Sequence, residues 1–428
     1  MKPNALLAQS GGPSPVINSS LLGLIDGCHA FPHHIANIFA ARHGVEGILQ
    51  EDLLDLSQED PHELQLLRST PCAGAIGTCR YKLGPANSDD VHRILDVFAA
   101  HNVGFFFYIG GNDSMDTADK IARLAHQRSI PLTVVGVPKT IDNDLGDNSG
   151  SLIDHTPGYG SAARFWALLV QNANEENAGI STSEPVSVYQ TMGRKSGFIT
   201  AAARLGDPDR RLPLQLYLPE SHHSLDSLTH HVHQSLRRHH RCIVIVSEGF
   251  DVGSLGEKRD PFGHIEYGAS ETTVAQVVVN HLNRLGLPAR GHATGQVPGV
   301  LQRDVSIYAS TVDLDEAYNV ARHAVAIAIH HGSGWMATII RDSSSPYRIH
   351  FDKVPLASIA NAVRTFPAHW LSPDQLDVTD DFISYARPLI GDHWPTVPLE
   401  NGLQRFARLR RVPLPKKLPP YLPHNFRT

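Results

Sequence analysis

The segment PKTIDND, residues 138–144, gathers acidic, basic and hydroxyl groups within a few positions. Lys139 supplies an ammonium group and Thr140 a hydroxyl, while Asp142 and Asp144 supply two carboxylates. A carboxylate in such a group can act as a general base, and an ammonium can stabilise developing negative charge. A solvated turn would have the same composition. The catalytic interpretation therefore depends on other polar loops reaching the same place.

Two glycine-rich segments supply such loops. SGGP contains Gly11 and Gly12, and GGNDS begins at position 110; each follows an apolar stretch. Missing side chains let backbone N–H groups approach an anion, aided by the dipole of the following helix. Neither segment matches GxGxxG or GxxxxGK[ST], so a dinucleotide or Walker-type site is not indicated. The alternatives are a tight turn at the first segment and helix capping by Asp113 or Ser114 at the second.

Polar groups also follow apolar runs in the second half of the chain. In TMGRKSG, Gly193 permits close approach of a ligand, and the planar fork of Arg194 suits phosphate or sugar oxygens. In VSEG, Glu248 would accept hydrogen bonds from a sugar hydroxyl, or it is an exposed or capping carboxylate. Asn112 and Asp113 offer oxygen atoms to a hydrated Mg²⁺. The residue types in these loops therefore suit phosphate or sugar oxygens and a hydrated cation.

The elements that must position these groups follow a βαβ rhythm, which predicts a mostly parallel sheet with helices on both faces. The rhythm restarts downstream, so two such sandwiches are expected, meeting near residues 146–160. Ligands of these folds bind where strands end and helices begin. Strands are predicted at residues 5–8, 35–41, 103–109, 132–137, 186–190, 214–218, 242–246, 335–340 and 347–351, with helices at 114–125, 271–285 and 314–331.

Composition limits the partners and the compartment. The 37 basic and 43 acidic residues give a net charge of −6, which argues against nucleic acid and anionic membranes as partners. The four cysteines form no CxxC pair and no disulfide framework. The first residues do not read as a signal peptide, and no apolar run reaches the ~20 residues of a membrane span. A cytoplasmic protein is expected.

The chain has 26 histidines, many of them in residues 222–240. This segment predicts a solvated amphipathic helix with Leu225, Leu228, Val232 and Leu236 turned inward. Zinc ligation is the alternative, but no cysteine or carboxylate completes a tetrahedral set.

The order of the motifs resembles that of the phosphofructokinases. The motifs are SGGPSPVIN, IGTCRY, GGNDS, PKTIDND, TMGRKSGF, VSEG and GVLQR, and the resemblance covers residues 5–395. DHTPGYGSAARF and SYARPLIG resemble the pyrophosphate-using branch of the family. The resemblance implies two Rossmann-like, three-layer αβα domains. Residues 1–150, completed by part of 304–400, would bind the donor, 151–303 the sugar phosphate, and 401–428 would form a basic, proline-rich extended arm.

Two positions resemble the pyrophosphate-using branch in particular. ATP-using members resemble GGDGS and carry a small residue before TIDND, whereas this chain has Asp113 and Lys139 there. A carboxylate at position 113 would repel the α-phosphate of a nucleotide, while pyrophosphate ends before that point. Lys139 adds a compact positive charge beside the transferring phosphoryl group.

The resemblance implies a reversible, Mg²⁺-dependent transfer from pyrophosphate to the 1-hydroxyl of fructose 6-phosphate, giving fructose 1,6-bisphosphate and phosphate, in glycolysis and gluconeogenesis. Asp142 would be the general base. The implied site residues are, for catalysis, Asp142, Lys139, Asp113, Thr140, Asp144 and Arg80; for pyrophosphate, Gly11, Gly12 and Lys139; for the sugar phosphate, Thr140, Ile141, Asp142, Met192, Gly193, Arg194, Glu248, Gln302 and Arg303; and for Mg²⁺, Asn112.

Alternatives remain open at this point. Asn112 stands where the family usually has a Mg²⁺-linked aspartate, and Pro185 where bacterial ATP-using relatives have an arginine that reaches across a subunit interface. The chain is expected to form a homodimer or homotetramer, and Arg290 is one candidate for the crossing arginine. An ATP-dependent enzyme, a catalytically silent regulatory homologue, and sedoheptulose 7-phosphate as an acceptor are the competing possibilities.

Overall fold

The computed structural model describes residues 2–85, 88–254, 270–360 and 362–426. Its strands are β1 (Asn4–Gln9), β2 (Ile38–Ala41), β3 (Leu53–Asp55), β4 (Val103–Gly110), β5 (Thr133–Pro138), β6 (Val186–Thr191), β7 (Leu214–Tyr217), β8 (Cys242–Ser247), β9 (Ala293–Gln296), β10 (Trp335–Ser344), β11 (Tyr347–Pro355), β12 (Leu399–Glu400) and β13 (Leu403–Gln404). Its helices are α1 (Ile17–His29), α2 (Gly44–Leu49), α3 (Pro61–Leu66), α4 (Asp89–Ala100), α5 (Asn112–Gln127), α6 (Tyr159–Ile180), α7 (Phe198–Ala202), α8 (Leu225–His239), α9 (Val274–Leu285), α10 (Leu301–Asp304), α11 (Thr311–His331), α12 (Leu356–Ile359) and α13 (Asp380–Ala386).

The first domain is built on a seven-stranded sheet with the order β11-β10-β5-β4-β1-β2-β3. Its inner strands pair in parallel, and the edge strands β11 and β3 are antiparallel. Every residue of β1 is buried, as expected for a parallel strand covered on both faces. Helices α1 and α11 cover one face of the sheet, and α4 and α5 cover the other.

The second domain is built on four parallel strands in the order β7-β8-β6-β9. Residues of α6, α7 and α13 pack on one face, and residues of α8 and α9 pack on the other. Each domain therefore has three layers. The predicted fold class, two Rossmann-like αβα sandwiches with mostly parallel sheets, is confirmed.

Some predicted boundaries were wrong for identifiable local reasons. Strand β2 begins at Ile38 instead of residue 35, because the N–H of Ile35 bonds back to the Phe31 carbonyl in a turn. Helix α9 begins at Val274 instead of residue 271, because the Thr273 hydroxyl accepts the N–H of Gln276 and caps the helix.

A buried ionic cluster holds the segment that crosses from the first domain to the second. The Nδ1 atom of His155 lies 2.7 Å from Asp154 Oδ2, and its Nε2 atom lies 2.6 Å from Glu316 Oε2. Arg341 donates to the same Asp154 oxygen at 2.8 Å, and the Tyr347 hydroxyl donates to Glu316 at 2.6 Å. Burial opposes the imidazolium charge, but the two carboxylates outweigh it and raise the pKa of His155 to about 9.

Replacing His155 by alanine should leave the carboxylates of Asp154 and Glu316 buried without their shared cation. We expect the free energy of unfolding in urea at pH 7 to fall by about 3–5 kcal/mol. The matched control is His350→Ala, which removes an exposed imidazole 2.7 Å from Asp342 and should cost less than about 1 kcal/mol.

The loss of unfolding free energy in His155→Ala should shrink as the pH rises. The folded pKa of His155 lies above its usual 6.5, so its contribution is fully present below pH 6.5 and is lost as the pH rises through about 9. If His155→Ala and His350→Ala lost the same free energy of unfolding, or if the loss in His155→Ala did not depend on pH, the ionic role of His155 would be contradicted.

Candidate functional site

The glycine loop after β1 lies against three cationic side chains. Gly11 has a φ of +78°, and a Cβ atom there would lie 3.2 Å from the Nζ of Lys139. A Cβ at Gly12 would lie 2.4 Å from an Nη atom of Arg303 and 3.2 Å from one of Arg80. Any side chain at Gly12 would therefore displace a guanidinium. The loop and the three cations predicted from separate motifs are brought together in one place.

Lys139 lies at the centre of this cluster. Its side chain is buried, and its Nζ donates to the Gly12 carbonyl at 2.7 Å. Burial, with Arg303 and Arg80 adding to it, lowers the pKa of Lys139 to about 7, although nearby carboxylates oppose the shift. Near neutral pH, the Lys139 amine is therefore only partly protonated in the absence of a bound anion.

The Thr140 hydroxyl links the backbone of Asp142 to the carboxylate of Asp144 in the loop after β5. Thr140 Oγ1 accepts the N–H of Asp142 at 3.1 Å and donates to Asp144 Oδ1 at 3.2 Å. Burial raises the pKa of Asp142, against the opposing charge of Arg194 and other cations. Burial and then the charge of Asp142 raise the pKa of Asp144 to about 7. Asp144 is therefore only partly ionised at neutral pH.

Residues that the sequence analysis did not single out hold this loop in place. Asn143 has a φ of +55°; its amide donates to the Tyr385 hydroxyl at 3.0 Å and accepts the N–H of Thr156 at 3.0 Å. The backbone N–H of Arg364 donates to the Asp144 carbonyl at 2.8 Å. Asn143 and Tyr385 lie inside quoted motifs, but nothing in the sequence signalled that they meet.

The start of α6 packs directly against the same loop. Thr140 forms a parallel bridge with Gly158, whose φ is +110° and whose Cβ would lie 3.1 Å from the Thr140 carbonyl. The N–H groups of Gly158 and Ser161 donate to the Asp313 carboxylate at 2.9 and 2.8 Å. A carboxylate from α11 thus accepts hydrogen bonds from backbone N–H groups at the start of α6, which would otherwise be buried without partners.

The helix after β4 offers both an amide oxygen and an acid to the cleft. Asn112 donates to the Asp144 carbonyl at 3.4 Å, and its Oδ1 is buried without a hydrogen-bond partner among the described residues. Helix α5 begins at Asn112 with Gly111 as its N-cap, so neither Asp113 nor Ser114 is the cap. Asp113 lies exposed in the first turn.

The second domain contributes an arginine and a buried acid. Gly193, with a φ of +105°, accepts the Ser247 hydroxyl at 2.8 Å through its carbonyl, which fixes the turn that carries Arg194. The Nε of Arg194 lies 3.8 Å from Glu248 Oε1. Burial and the charge of Asp142 raise the pKa of Glu248 to about 7, while Arg194 opposes the shift. Glu248 is therefore neither exposed nor a helix cap, and it lies close enough to Asp142 to feel its charge.

Two predicted sugar-binding residues lie behind the surface of the cleft. The Gln302 amide oxygen accepts the indole N–H of Trp166 at 2.9 Å and the backbone N–H of Met192 at 3.1 Å. Its NH₂ group donates to the Gly299 carbonyl at 2.7 Å. The Ile141 side chain packs in the core of the second domain. Gln302 thus supports the Met192 loop through bonds to the protein itself.

The described residues contain no group of three or more His, Cys, Asp or Glu side chains placed to hold a metal ion, and this covers the helix α8 with its histidines. Among the same residues, no helix is long and apolar enough to cross a membrane.

Fold and cleft together define a two-domain α/β protein in which three cationic side chains surround a glycine loop. Residues 4–327 match the family model described as Phosphofructokinase, and the chain belongs to this family.

Two relatives and one solved structure show how far the likeness extends. The chain is 37% identical to the pyrophosphate--fructose 6-phosphate 1-phosphotransferase of Methylococcus capsulatus, over 97% of this chain and 98% of that one. It is 36% identical to the protein of the same name from Halomonas elongata, over 98% and 99%. The crystal structure of a pyrophosphate-dependent phosphofructokinase from Marinobacter aquaeolei superposes with a TM-score of 0.87 at 33% identity, covering 99% of this chain and 100% of that chain.

The lowered pKa of Lys139 predicts how pyrophosphate binding changes with pH. Lys139 is charged below about pH 7 and neutral above it in the free protein. In calorimetric titrations, wild type should bind pyrophosphate roughly 30-fold more tightly than Lys139→Met at pH 6, and this ratio should shrink as the pH rises above 7. Taking the ratio removes the titration of pyrophosphate itself.

The control for this experiment is Lys195→Met, which removes an exposed lysine from the TMGRKSG loop. It should leave the affinity and its pH dependence close to those of wild type. A wild-type to Lys139→Met ratio that stays constant from pH 6 to 9 would rule out the Lys139 charge as the determinant.

Proposed function

We propose that this protein transfers a phosphoryl group from pyrophosphate to the 1-hydroxyl of fructose 6-phosphate, reversibly, in glycolysis and gluconeogenesis. The observation that carries the proposal is the position of Asp142. Its carboxylate lies in a cleft where Lys139 and Arg303 approach the glycine loop and where Arg194 lies on the opposite domain. The relatives named above carry this activity in their names.

The donor assignment is supported by charges at two positions. Lys139 places its ammonium 2.7 Å from the Gly12 carbonyl, where a short inorganic donor would lie in the glycine loop. Asp113 places a carboxylate in the first turn of α5, at the end of a helix dipole that would otherwise attract a phosphate. The carboxylate therefore disfavours a donor that extends past the loop, as a nucleotide does.

Asp142 would act as the general base for the hydroxyl group of the acceptor sugar. As the 1-hydroxyl oxygen bonds to phosphorus, the bond to the bridging oxygen of pyrophosphate breaks, phosphate leaves and the hydroxyl proton passes to Asp142. Burial raises the pKa of Asp142 above that of a free aspartate, which makes it a better proton acceptor. Arg194 and Glu248 would hold the sugar, and Arg303 its 6-phosphate.

The cleft also fits a divalent cation. The Asn112 Oδ1 is buried and has no hydrogen-bond partner among the described residues, which costs free energy unless a ligand takes it up, and the amide nitrogen of the same side chain donates to the Asp144 carbonyl. These two residues would hold a hydrated Mg²⁺. When bound, Mg²⁺ would neutralise charge on the pyrophosphate oxygens.

An exposed apolar patch lies next to Arg303. Val297, Val300 and Leu301 are 44, 51 and 54% exposed. Adjacent exposed apolar residues of this kind mark protein–protein contacts. We propose a second copy of the chain as the partner there, in a homodimer or homotetramer, and a cytoplasmic location in keeping with the composition.

The donor is tested by measuring turnover of fructose 6-phosphate with pyrophosphate and with ATP. Wild type should use pyrophosphate and show little turnover with ATP. Asp113→Gly combined with Lys139→Gly should lower kcat/KM for pyrophosphate, because the cation beside the donor is lost. Preference for ATP in wild type would establish the ATP-dependent alternative, and unchanged pyrophosphate kinetics in the double variant would refute the donor assignment.

The base is tested by Asp142→Asn, which keeps the shape of the side chain and removes its proton-accepting charge. The kcat should fall by about 10²–10⁴-fold with smaller changes in KM. Asp147→Asn, in the same loop but with its carboxylate bonded to Ser151 and Leu152, is the matched control and should stay within about threefold of wild type. Full turnover by Asp142→Asn would favour a different base or a silent homologue.

A further inference from the structure

The C-terminal arm, residues 405–426, is an extended segment that packs on the first domain. It runs beside the edge strand β3, where Leu414 donates its N–H to the Leu53 carbonyl at 2.8 Å and Asp55 donates to the Val412 carbonyl at 2.9 Å. Leu414 also packs against the core of that domain. The arm thus pairs with the edge strand of the first sheet before it continues across α4.

Carboxylates of the first domain bind the arm through its backbone. Glu59 accepts the N–H groups of Arg410 and Arg411 at 2.6 and 2.7 Å. Glu51 accepts those of Lys417 and Leu418 at 2.6 and 3.1 Å. Charge-assisted hydrogen bonds of this kind are about twice as strong as neutral ones. The arm is therefore fixed along its length and not only by its side chains.

The end of the arm fastens on Asp90 and Tyr81. Asp90 Oδ1 accepts the Tyr421 hydroxyl at 2.6 Å and the N–H of His424 at 3.1 Å. Asp90 Oδ2 accepts the Tyr81 hydroxyl at 2.5 Å. The Tyr81 hydroxyl in turn accepts the N–H of Asn425 at 3.3 Å. The last residues of the arm and the Tyr81 side chain therefore form one hydrogen-bonded unit on α4.

Tyr81 immediately follows Arg80 in the chain. On the other side of Arg80, Cys79 pairs with Ser10 in a parallel bridge, and its carbonyl accepts the N–H of Gly11 at 2.8 Å. Arg80 is thus held between the glycine loop on one flank and the unit that contains the arm on the other.

The guanidinium of Arg80 has no such anchor of its own. No hydrogen bond or ion pair between described residues holds it, although it approaches the position above Gly12. Its direction therefore depends on how firmly the backbone on each side is fixed. Because Tyr81 is one residue away, losing the contacts of the arm weakens the support of this flank, which then depends on the bond from Tyr81 to Asp90 alone.

We propose that the end of the C-terminal arm is a positioning element for Arg80 in the pyrophosphate site. The inference rests on the proposed function, since it assigns Arg80 to the donor. Without the arm, Arg80 would reach the donor from a wider range of directions and hold it more weakly. The acceptor side of the cleft, on the second domain, would keep its geometry.

Two variants loosen the end of the arm while leaving its bonds to Glu51 and Glu59. Tyr421→Phe removes one hydrogen bond to Asp90, and a chain ending at Leu422 removes the contacts of His424 and Asn425. The pyrophosphate dissociation constant, measured by calorimetry, should rise on the order of tenfold in the shortened chain and less in Tyr421→Phe. The KM for fructose 6-phosphate should stay within about twofold.

The matched control lies on the same arm but away from Tyr81. Lys417 donates its Nζ to the Ala100 carbonyl at 2.8 Å, and Lys417→Met should leave the pyrophosphate affinity unchanged. A purely structural role of the arm predicts instead that the shortened chain loses thermal stability and that both substrates are affected alike. That result would overturn the proposal.

Combining the shortened chain with Arg80→Ala distinguishes an effect of the arm through Arg80 from a purely structural role of the arm. If the arm acts through Arg80, shortening should weaken pyrophosphate binding in wild type and add nothing once Arg80 is alanine. Equal losses in both backgrounds, or no loss in wild type, would refute the inference. Absence of turnover with pyrophosphate in wild type would refute the proposed function instead, while the calorimetric comparison would still decide the role of the arm.

Discussion

The structure depends on holding like charges close together in a cleft. Lys139, Arg80 and Arg303 approach two consecutive glycines, and the pKa of Lys139 is lowered by burial and by both arginines. Clustering of these cations is unfavourable in itself, because like charges repel one another more strongly next to the buried Lys139 than they would in water. The cost must be met by packing and hydrogen bonds elsewhere in the fold. The binding of an anion such as a phosphate group would relieve this repulsion.

The segment that links the two domains carries much of that support. It contains Asp142 at one end and the start of α6 at the other, and it makes polar contacts in addition to burying Leu145 and Ile153 in the core of the first domain. Asn143 bonds to Tyr385, Thr140 pairs with Gly158, and His155 is held between two carboxylates. Buried polar networks of this kind are costly when incomplete and specify one geometry when complete. The distance between the glycine loop after β1 and the loop that carries Arg194 is therefore set by directional hydrogen bonds as well as by apolar packing.

Sequence reasoning recovered the parts of this arrangement that follow from local pattern. Apolar runs predicted the strands, and the polar residues after them had to lie at one edge of a parallel sheet, as Lys139 and Gly12 do. It did not recover the pairing of His155 with Glu316, which lies 161 residues away. Nor did it recover the bonds from Glu51 to the arm, because a basic, proline-rich tail has no pattern that names its acceptors. Contacts between distant segments are decided by tertiary packing, which one sequence does not display.

The protonation of the cleft follows from the same cluster of charges. Lys139, Asp144 and Glu248 each have a pKa of about 7, displaced by burial from opposite sides of neutrality. An arriving polyanion raises the pKa of every group near it, since it stabilises the ammonium and destabilises the carboxylates. An anion bound at the glycine loop would therefore favour protonation of Lys139, whose Nζ lies against that loop. A bound anion would thus increase the positive charge of the cluster around the glycine loop.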